Sequence, residues 1–272
     1  WGWWSGDDSD AAITAWVLVG FGEARRAGYT VDAQVDEQAV AYLTQQFDYP
    51  RDVLAPQLDL RAYLLYALAR DGHGDLGRSY ALAEQHGLLG NAARAWVALA
   101  IKQAGGNDSD PRLTTLLDEL QSAAIPSATG NHWEEAKYEP DIFSNSTQTT
   151  AQVLQAFTEF LPEHPLVDGT LRWLMVARKE EGHWESPHDT AAALLAITGF
   201  MLVRKDAQEG YDYRIDLNGS RKLSGKAEAG KTRQDDVLVI QMKDLLKDAV
   251  NELRIQRTPG TAAGRLYYTA HL

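Results

Sequence analysis

The sequence predicts a mainly helical protein: an incomplete α/α toroid of about nine helices, followed by a small antiparallel β-sandwich segment. Apolar residues recur at helical spacing from residue 9 to about 205. Helices rich in small residues alternate with Leu-rich helices along this stretch. Beyond it the pattern changes to the two-residue alternation of strands. Helices followed by strands suggest separate domains, expected here at 1–207 and 208–272.

The first helix is expected in DAAITAWVLVGFGEARRAGY, with Asp8 or Ser9 as its cap and Gly28 at its end. Its apolar face is predicted from helical spacing to be Ile13, Trp16, Val17, Gly20 and Ala24. Further helices are predicted at about 34–47, 57–70, 76–86, 91–104, from 111, and at 147–161, 166–180 and 187–204. Residues 121–146 are expected to be a long irregular connection.

Two helix starts carry recognisable caps. Asp110 followed by Pro111 is a cap with proline at the first helical position, and it leads into a stripe of leucines. The stripe comprises Leu113, Leu116, Leu117 and Leu120. In SPHD, Ser186 is the predicted cap and Asp189 the closing residue of a capping box. These signals locate the sixth and ninth helices.

Four strands are predicted in the second domain. YDYRIDLNG alternates apolar and charged residues and then reaches Asn218-Gly219, which predicts a strand running into a hairpin turn. The others are DVLVIQM, NELRIQR and GRLYYTA. Four or five strands are therefore expected after the helices.

An internal repeat supports the toroid. A loop tryptophan, small polar residues and an Ala-rich helix recur in WWSGDDSDAAITAWVL, HWEEAKYEPDIFSNSTQTTAQVLQAF and GHWESPHDTAAALLAI. By this alignment Trp4, Trp133 and Trp184 are equivalent. Small-residue helices suit an inner ring and Leu-rich helices an outer one. Because a six-pair ring needs twelve helices, about three are expected to lie before Trp1.

The same segments resemble the thioester domain of bacterial α2-macroglobulins, a family that also includes the complement components. The clearest stretch runs from Trp173 to Ser186 in the pattern W-L-x(3)-R-x(3)-G-x-W-x-S, followed by Asp189-Thr190-Ala191. YDYRIDLNG, NELRIQR and RLYYTAHL are similar to the β-rich segment that follows that domain. The resemblance covers nearly the whole chain and depends on the order of its motifs.

The resemblance implies a fragment of an endopeptidase inhibitor, a non-enzymatic protein that traps proteases. In the family, Cys-x-x-Gln forms a thioester that acylates the attacking protease. This sequence contains no cysteine, so the motif lies elsewhere in the parent protein or the parent belongs to a branch without it. The implied partners are proteases, through the full-length parent, and the parent's other domains. The implied location is extracellular or periplasmic.

Composition excludes several classes of function. The net charge is −12: residues 1–205 carry −13 and the rest of the chain +1. Such an acidic surface repels nucleic acid and anionic lipid. No apolar run is long enough to span a membrane. The absence of cysteine excludes disulfides, Cys-zinc sites and thiol catalysis within the chain.

Three groups of residues invite a catalytic or ligand-binding interpretation, and for each a structural role is preferred. DDSD at 7–10 resembles the acid motif of terpene cyclases but lies at a helix start, where acids cap. The two HWE motifs, at 132–134 and 183–185, offer tryptophans for sugars but fit structural wedges between helices. A metal would need His183, Glu185, His188 and Asp189 to converge with His132 and Glu134. His73, His86 and His164 are expected to be solvated, and no catalytic, cofactor or metal residue is assigned.

Two alternatives to the inhibitor remain open. One is an enzyme on a complete α/α toroid, either carbohydrate-active or related to terpene cyclases. The other is a non-covalent interaction module. An enzyme should have acids converging in a cavity inside a complete ring, whereas the inhibitor fragment should have an open ring without a central acid pair.

Overall fold

Nine α-helices occupy the residues that the structure, a computed structural model, describes: 1–47, 55–136, 142, 144–204, 210–228 and 236–258. They are α1 (Ala11–Arg26), α2 (Ala33–Gln45), α3 (Ala55–Arg70), α4 (Leu76–Ala83), α5 (Asn91–Gln103), α6 (Pro111–Ser122), α7 (Ser146–Phe160), α8 (Pro165–Ala177) and α9 (Pro187–Val203). Each coincides with a predicted helix, so the mainly α fold is confirmed. The chain divides into two units, Trp1–Phe200 and Met201–Leu272. The domain limits 1–207 and 208–272 stay a prediction, because residues 205–209 lie outside the described ones.

The odd-numbered helices form the inner layer of the first unit. Helix α1 packs on α3, α3 on α5, and α5 on α7. Helix α5 is buried almost all round, from Ala92 to Ile101, as expected of a helix without a solvent face. The even-numbered helices are amphipathic; in α6 the four predicted leucines are its buried residues. Helices α5 and α7 are rich in small residues and α6 and α8 are rich in leucine, as the repeat predicted. The inner helix α3 is itself Leu-rich, however, and the outer helix α2 has a single leucine.

The buried face of α1 differs from the predicted one. Its buried residues are Ala12, Ile13, Thr14, Ala15, Leu18, Val19 and Gly22, whereas Trp16 is 36% exposed and Gly20 is exposed. Close approach to α3 selects the small residues: a Cβ at Gly22 would lie 2.6 Å from the carbonyl oxygen of Arg70. Apolar periodicity favoured the larger Trp16, which instead faces the start of α9.

Ionic side chains join the C-terminal ends of α1 and α3. Arg25 bridges the carboxylates of Asp36 and Asp71, and Glu23 binds Arg70 and Arg26. Burial raises the pKa of the Asp71 carboxyl, and the nearby Asp36 raises it further. Removing Arg25 would leave two buried carboxylates facing each other.

The connection between α6 and α7 was predicted to be irregular but contains a hairpin. Strand β1 (Ile125–Ser127) pairs antiparallel with β2 (Gly130–His132). The hairpin lies so close to α8 that a Cβ at Gly130 would come within 2.0 Å of the Gly169 carbonyl oxygen. Asn131 donates from Nδ2 to Leu166 O (2.8 Å) and to Thr170 Oγ1 (3.0 Å). Strands of three residues are too short to show an alternation of apolar and polar residues in the sequence. The contacts with α8 hold this hairpin in place.

The second unit contains one three-stranded antiparallel sheet within the described residues, in the order β4-β3-β5. Strand β3 (Tyr211–Leu217) and β5 (Leu253–Arg257) confirm two predicted strands. Asn218 and Gly219 turn the chain with positive φ, at 49° and 77°, into β4 (Ser220–Ala227), which closes the predicted hairpin.

The strand predicted in DVLVIQM is wrong. Residues 236–241 form no strand, and Met242 begins a 3-10 turn, Met242–Asp244. Val237 and Val239 are 79% and 71% exposed, so the strand pattern has no partner among the described residues. The predicted strand GRLYYTA lies outside the described residues, as does the last motif, RLYYTAHL.

None of the described helices has the length and apolarity needed to cross a membrane.

Candidate functional site

The sequence motifs that invited a functional interpretation lie at the N-terminal ends of inner helices. DDSD precedes α1, the first HWE motif lies beside α5 and α7, and the second precedes α9. Helix N-termini offer unpaired N–H groups and a partial positive charge, so this end attracts carboxylates. At each position the carboxylate is either available to a substrate or already hydrogen-bonded to backbone N–H groups.

A repeated hydrogen-bonded unit, here called the tryptophan clasp, ties each loop tryptophan to a threonine in the first turns of the next inner helix. Its three copies are Trp1–Thr14, Trp133–Thr150 and Trp184–Thr190. In the second and third copies the tryptophan backbone N–H donates to the threonine Oγ1, both at 3.0 Å, and in the first the amino group of Trp1 does so at 2.8 Å. The structure thus corrects the sequence alignment, which had placed Trp4 in the first copy.

The indoles of the second and third clasps are buried and bonded to the preceding outer helix. Trp133 Nε1 donates to the carbonyl oxygen of Leu120 in α6 (2.7 Å), and Trp184 Nε1 to that of Leu174 in α8 (2.9 Å). Both side chains are almost completely buried. Each clasp therefore joins one outer helix to the next inner helix. The structural interpretation of both HWE tryptophans holds, since neither ring is free to stack on a sugar.

Two acids converge on the N-terminus of α5. Glu135 accepts from the backbone nitrogens of Asn91 (3.0 Å) and Ala92 (2.7 Å) and from Thr149 Oγ1 (3.1 Å). Asp59 accepts from the nitrogen of Gly90 at 2.9 Å. A Cβ at Gly90 would lie within 2.7 Å of both carboxylates. The two acids replace the side-chain cap that glycine cannot supply, so their oxygens are engaged with the helix start.

The start of α9 forms a second polar network. Asp189 N donates to Ser186 Oγ (3.1 Å), and Ser186 Oγ lies 2.8 Å from Asp189 Oδ2, so the predicted pairing of these two residues is present. Asn145, the cap of α7, donates to Asp189 Oδ1 at 2.7 Å. Asp189 is only 1% exposed, and its oxygens link two inner helices.

His188 lies in the same turn against α1. Its ring meets Trp16 edge-on, with centroids 5.0 Å apart. Burial lowers the pKa of His188, opposed in part by the charge of Asp189. The contact with Trp16 joins the first turn of α9 to α1.

The DDSD segment acts as a cap, although at a different residue from the predicted ones. Asp10 accepts from Ile13 N at 2.9 Å, and Asp7 accepts from Trp4 N at 3.0 Å. Asp8 and Ser9 do not cap α1, because the helix starts at Ala11. Asp10 is the residue directly before the helix and has the extended backbone of a cap.

The residues considered for a metal are dispersed. His132 Nε2 lies 3.1 Å from Glu134 Oε1, and its ring stacks on Trp173. Glu185 pairs with Lys179 at 2.9 Å, and His183 Nδ1 lies 2.6 Å from Trp184 O. Within the described ranges, no three His, Asp or Glu side chains are arranged to hold a metal ion.

The three histidines expected to be solvated have specific neighbours. His73 Nδ1 lies 3.1 Å from Asp71 Oδ2, and His86 Nδ1 lies 2.6 Å from Glu119 Oε1. His164 caps α8 by accepting from Leu166 N at 3.3 Å. The predicted loop position is correct for His73 and His164, whereas His86 begins a short 3-10 helix, His86–Leu88. Loop position did not reveal these contacts.

Sequence reasoning missed the threonines of the clasp, the capping of α5 by Glu135, and Asn145. Thr14, Thr150 and Thr190 each fall at the fourth or fifth position of an inner helix. That shared position, compared across the repeat, is the signal by which they could have been found.

The arrangement of paired helices in an α/α toroid followed by a small antiparallel sheet defines the class of the fold. Solved structures similar to this chain are bacterial α2-macroglobulins. The Salmonella protein reacted with methylamine aligns over 82% of this chain with a TM-score of 0.60 and 17% identity. The native Escherichia coli protein, from domain MG7 to the C-terminus, gives 0.55 and 16%, and the trypsin-activated E. coli protein 0.53 and 16%, each also over 82%.

The chain spans only part of these proteins: 14% of the Salmonella chain, 34% of the E. coli fragment and 15% of the trypsin-activated chain. No protein-family model and no curated protein matches the sequence. At these identities the likeness concerns the fold, and at that level the resemblance to bacterial α2-macroglobulins is confirmed.

Proposed function

We propose that this chain is a fragment of an α2-macroglobulin-like endopeptidase inhibitor, a protein that traps proteases. The observation that carries the proposal is the shared order of helical toroid and sheet, aligned over 82% of the chain with a native, a methylamine-reacted and a trypsin-activated α2-macroglobulin. The chain acts as a structural module of the parent and is not an enzyme. Its parent is extracellular or periplasmic, and its partners are proteases and the parent's other domains.

The engaged acids support a non-enzymatic role. A general acid or base must present a carboxyl group to a substrate at hydrogen-bond distance. Glu135 and Asp59 are instead bonded to the backbone at the start of α5, and Asp189 to Ser186 and Asn145. In the described part of the chain, the acids gathered at this end of the toroid therefore serve helix capping, which argues against the enzyme alternatives.

The test of trapping uses the full-length parent incubated with trypsin or pancreatic elastase. A trapped protease is enclosed, so it should lose activity on a large protein substrate while retaining activity on a small chromogenic peptide. This 272-residue chain alone is the matched control and should change neither activity. Equal loss on both substrates, or no loss on either, would contradict trapping.

Methylamine distinguishes covalent from non-covalent trapping. If the parent carries the family's thioester outside this cysteine-free chain, methylamine treatment should abolish covalent attachment of the protease, read on denaturing gels. A parent that traps equally well before and after methylamine, with no covalent band, belongs to a branch without the thioester. A parent that neither traps nor attaches the protease would favour the interaction-module alternative.

A further inference from the structure

The exposed side of α9 is an uncharged stripe, here called the α9 stripe, formed by Leu194, Thr198 and Leu202. These residues recur every four positions and therefore lie on one face of the helix. Leu194 is 51% exposed and Leu202 75%, and Thr198 is exposed as well. No charged residue occurs in the sequence from Thr190 to Val203. A helix that is apolar all round is normally covered on every side, so this stripe is expected to have a partner.

The one polar side chain of the stripe needs no hydrogen bond from a partner. The Thr198 hydroxyl donates to the carbonyl oxygen of Leu194 and also lies 3.3 Å from that of Leu195, both in its own helix. Beside it, a Cβ at Gly199 would meet nothing within 4 Å. The surface at the middle of the stripe is therefore open, and glycine allows another helix to approach closely there.

The stripe is symmetric about Thr198. Leu194 lies four residues before Thr198, and Leu202 lies four residues after it. When two such helices pack antiparallel about a two-fold axis at Thr198, Leu194 of one copy meets Leu202 of the other, and the reverse contact is identical. The antiparallel arrangement also brings each helix N-terminus toward the C-terminus of the other copy, where the macrodipoles attract.

Charge favours a second copy at this stripe. Residues 1–205 contain 28 acidic and 15 basic residues, so two copies repel each other over most of this surface. The stripe brings no charge into the contact and leaves none unpaired when water is excluded. A basic partner would be attracted by the acidic surface and would gain nothing from an uncharged stripe. The self-complementary pattern and the missing charge both point to the same occupant.

We propose that the α9 stripe is the interface of a homodimer, in which the α9 helices of two copies of this chain pack antiparallel about a two-fold axis at Thr198. The contact of one helix pair is small for a specific interface, so a weak dimer is expected, half formed at roughly 10–100 µM. The inference rests on α9 and does not require the proposed protease-trapping function.

The test measures association of the 272-residue chain by sedimentation velocity, from about 1 to 500 µM, where a monomer should convert to a dimer. Thr198→Glu places two like charges opposite each other at the axis and should weaken association by about 10-fold or more. Thr114→Glu, the same change at an exposed position of α6, is the matched control and should leave association unchanged. Circular dichroism should show that both variants keep the wild-type thermal midpoint.

Mixing variants separates a broken interface from a damaged fold. An equimolar mixture of Thr198→Glu and Thr198→Lys should regain the dimer, because opposite charges then face each other at the axis. Neither variant alone should dimerise as the wild type does. Damage to the fold by either substitution would not be repaired by mixing.

Single cysteines report the orientation of the helices, because the chain contains no cysteine of its own. Under mild oxidation Thr198→Cys should form a covalent dimer quickly, since the two sulfur atoms meet at the axis. Leu194→Cys should cross-link with Leu202→Cys faster than with itself. In a parallel pair each of these two variants would instead cross-link with itself.

Three results would overturn the proposal. One is a chain that stays monomeric up to about 500 µM, which would leave the stripe to a different protein. Another is a dimer that Thr198→Glu weakens no more than Thr114→Glu does. The third is cross-linking of Leu194→Cys with itself as fast as with Leu202→Cys.

Discussion

The tryptophan clasp makes the stability of the folded protein depend on single threonine hydroxyl groups. Thr150 is fully buried, and among the described residues its hydroxyl is the one acceptor of the backbone nitrogen of Trp133, which is equally buried. A buried N–H without an acceptor carries the full cost of desolvation. The clasp threonines are therefore expected to matter more for stability than their neighbours on the same helices.

Thr150→Val keeps the shape of the side chain and removes the acceptor. We expect it to lower the free energy of unfolding by about 1–3 kcal/mol, because Trp133 N is left unpaired in the core. Urea unfolding followed by circular dichroism measures the change. Thr114→Val, an exposed position on α6, is the matched control and should alter stability by less than about 0.5 kcal/mol. Equal effects of the two substitutions would argue against the clasp.

His188 should make stability depend on pH. Burial lowers its pKa in the folded protein below the unfolded value, so the unfolded chain binds the proton first as pH falls. The stability that His188 contributes is therefore complete above its unfolded pKa and is lost as pH falls toward the folded value. Between pH 7.5 and 5.5, wild-type unfolding midpoints should fall more steeply than those of His188→Gln. A slope unchanged in His188→Gln would refute the assignment.

Among individual residues, the sequence predicted local helix caps better than it predicted hydrogen bonds between residues far apart in the chain. Ser186 with Asp189 follows from a local pattern, and the structure contains it. Glu135 caps a helix that begins 44 residues earlier, and Asn145 binds Asp189 across 44 residues. No spacing rule connects such positions, since only the packing of the inner helices brings them together.

At the scale of elements, two glycines in α1 have opposite surroundings. Gly22 faces α3, and a Cβ there would lie 2.6 Å from the Arg70 carbonyl oxygen; Gly20 has nothing within 4 Å. The difference follows from their positions on one helix, two residues apart and on different sides. This pair allows the helix-packing contribution to be separated from helix propensity.

Gly22→Ala should destabilise the protein although alanine is the better helix former, because α1 and α3 must move apart to admit the methyl group. A loss of about 1–3 kcal/mol is expected from such overpacking. Gly20→Ala should stabilise by about 0.5–1 kcal/mol, the ordinary gain for glycine to alanine in a helix. Thermal and urea unfolding of both variants measures the pair. A stabilising Gly22→Ala would show that the close approach is absent in solution.

Helices were predictable where strands were not, for a physical reason. A helix closes its hydrogen bonds within its own segment, so its apolar period survives in the sequence. A strand needs a partner: DVLVIQM has the composition of a strand, yet residues 236–241 form none in the described structure. Conversely, Ser220–Ala227 is a polar strand that exists because the Asn218-Gly219 turn folds it back on β3.

At the scale of the whole molecule, the two units differ in how much they bury. Apart from Leu217, every fully buried apolar residue of the described chain lies in the first unit. The sheet of the second unit has few apolar contacts of its own, and small sheets need a covered apolar face for stability. The alternation of inner and outer helices in the first unit was predictable from the repeat, whereas composition did not reveal that the described part of the second unit buries a single apolar side chain, Leu217.

A chain ending at Arg204 should therefore fold like the complete one. We expect its thermal midpoint to stay within about 3 °C of that of the 272-residue chain, because the buried apolar residues described in the helical unit all lie before residue 201. A large fall in the midpoint of the shortened chain would show that the sheet supports the helices.

The clasps also determine how an opening event would spread. Because the second and third clasps each link an outer helix to the following inner one, breaking Trp184–Thr190 frees α9 from α8 without touching the clasp at Trp133. Stability should then behave as a chain of nearest-neighbour couplings, as in repeat proteins, with partial openings that begin at the terminal helices. Native-state amide exchange should reveal this as a gradient of protection, highest in α5 and lowest in α1 and α9.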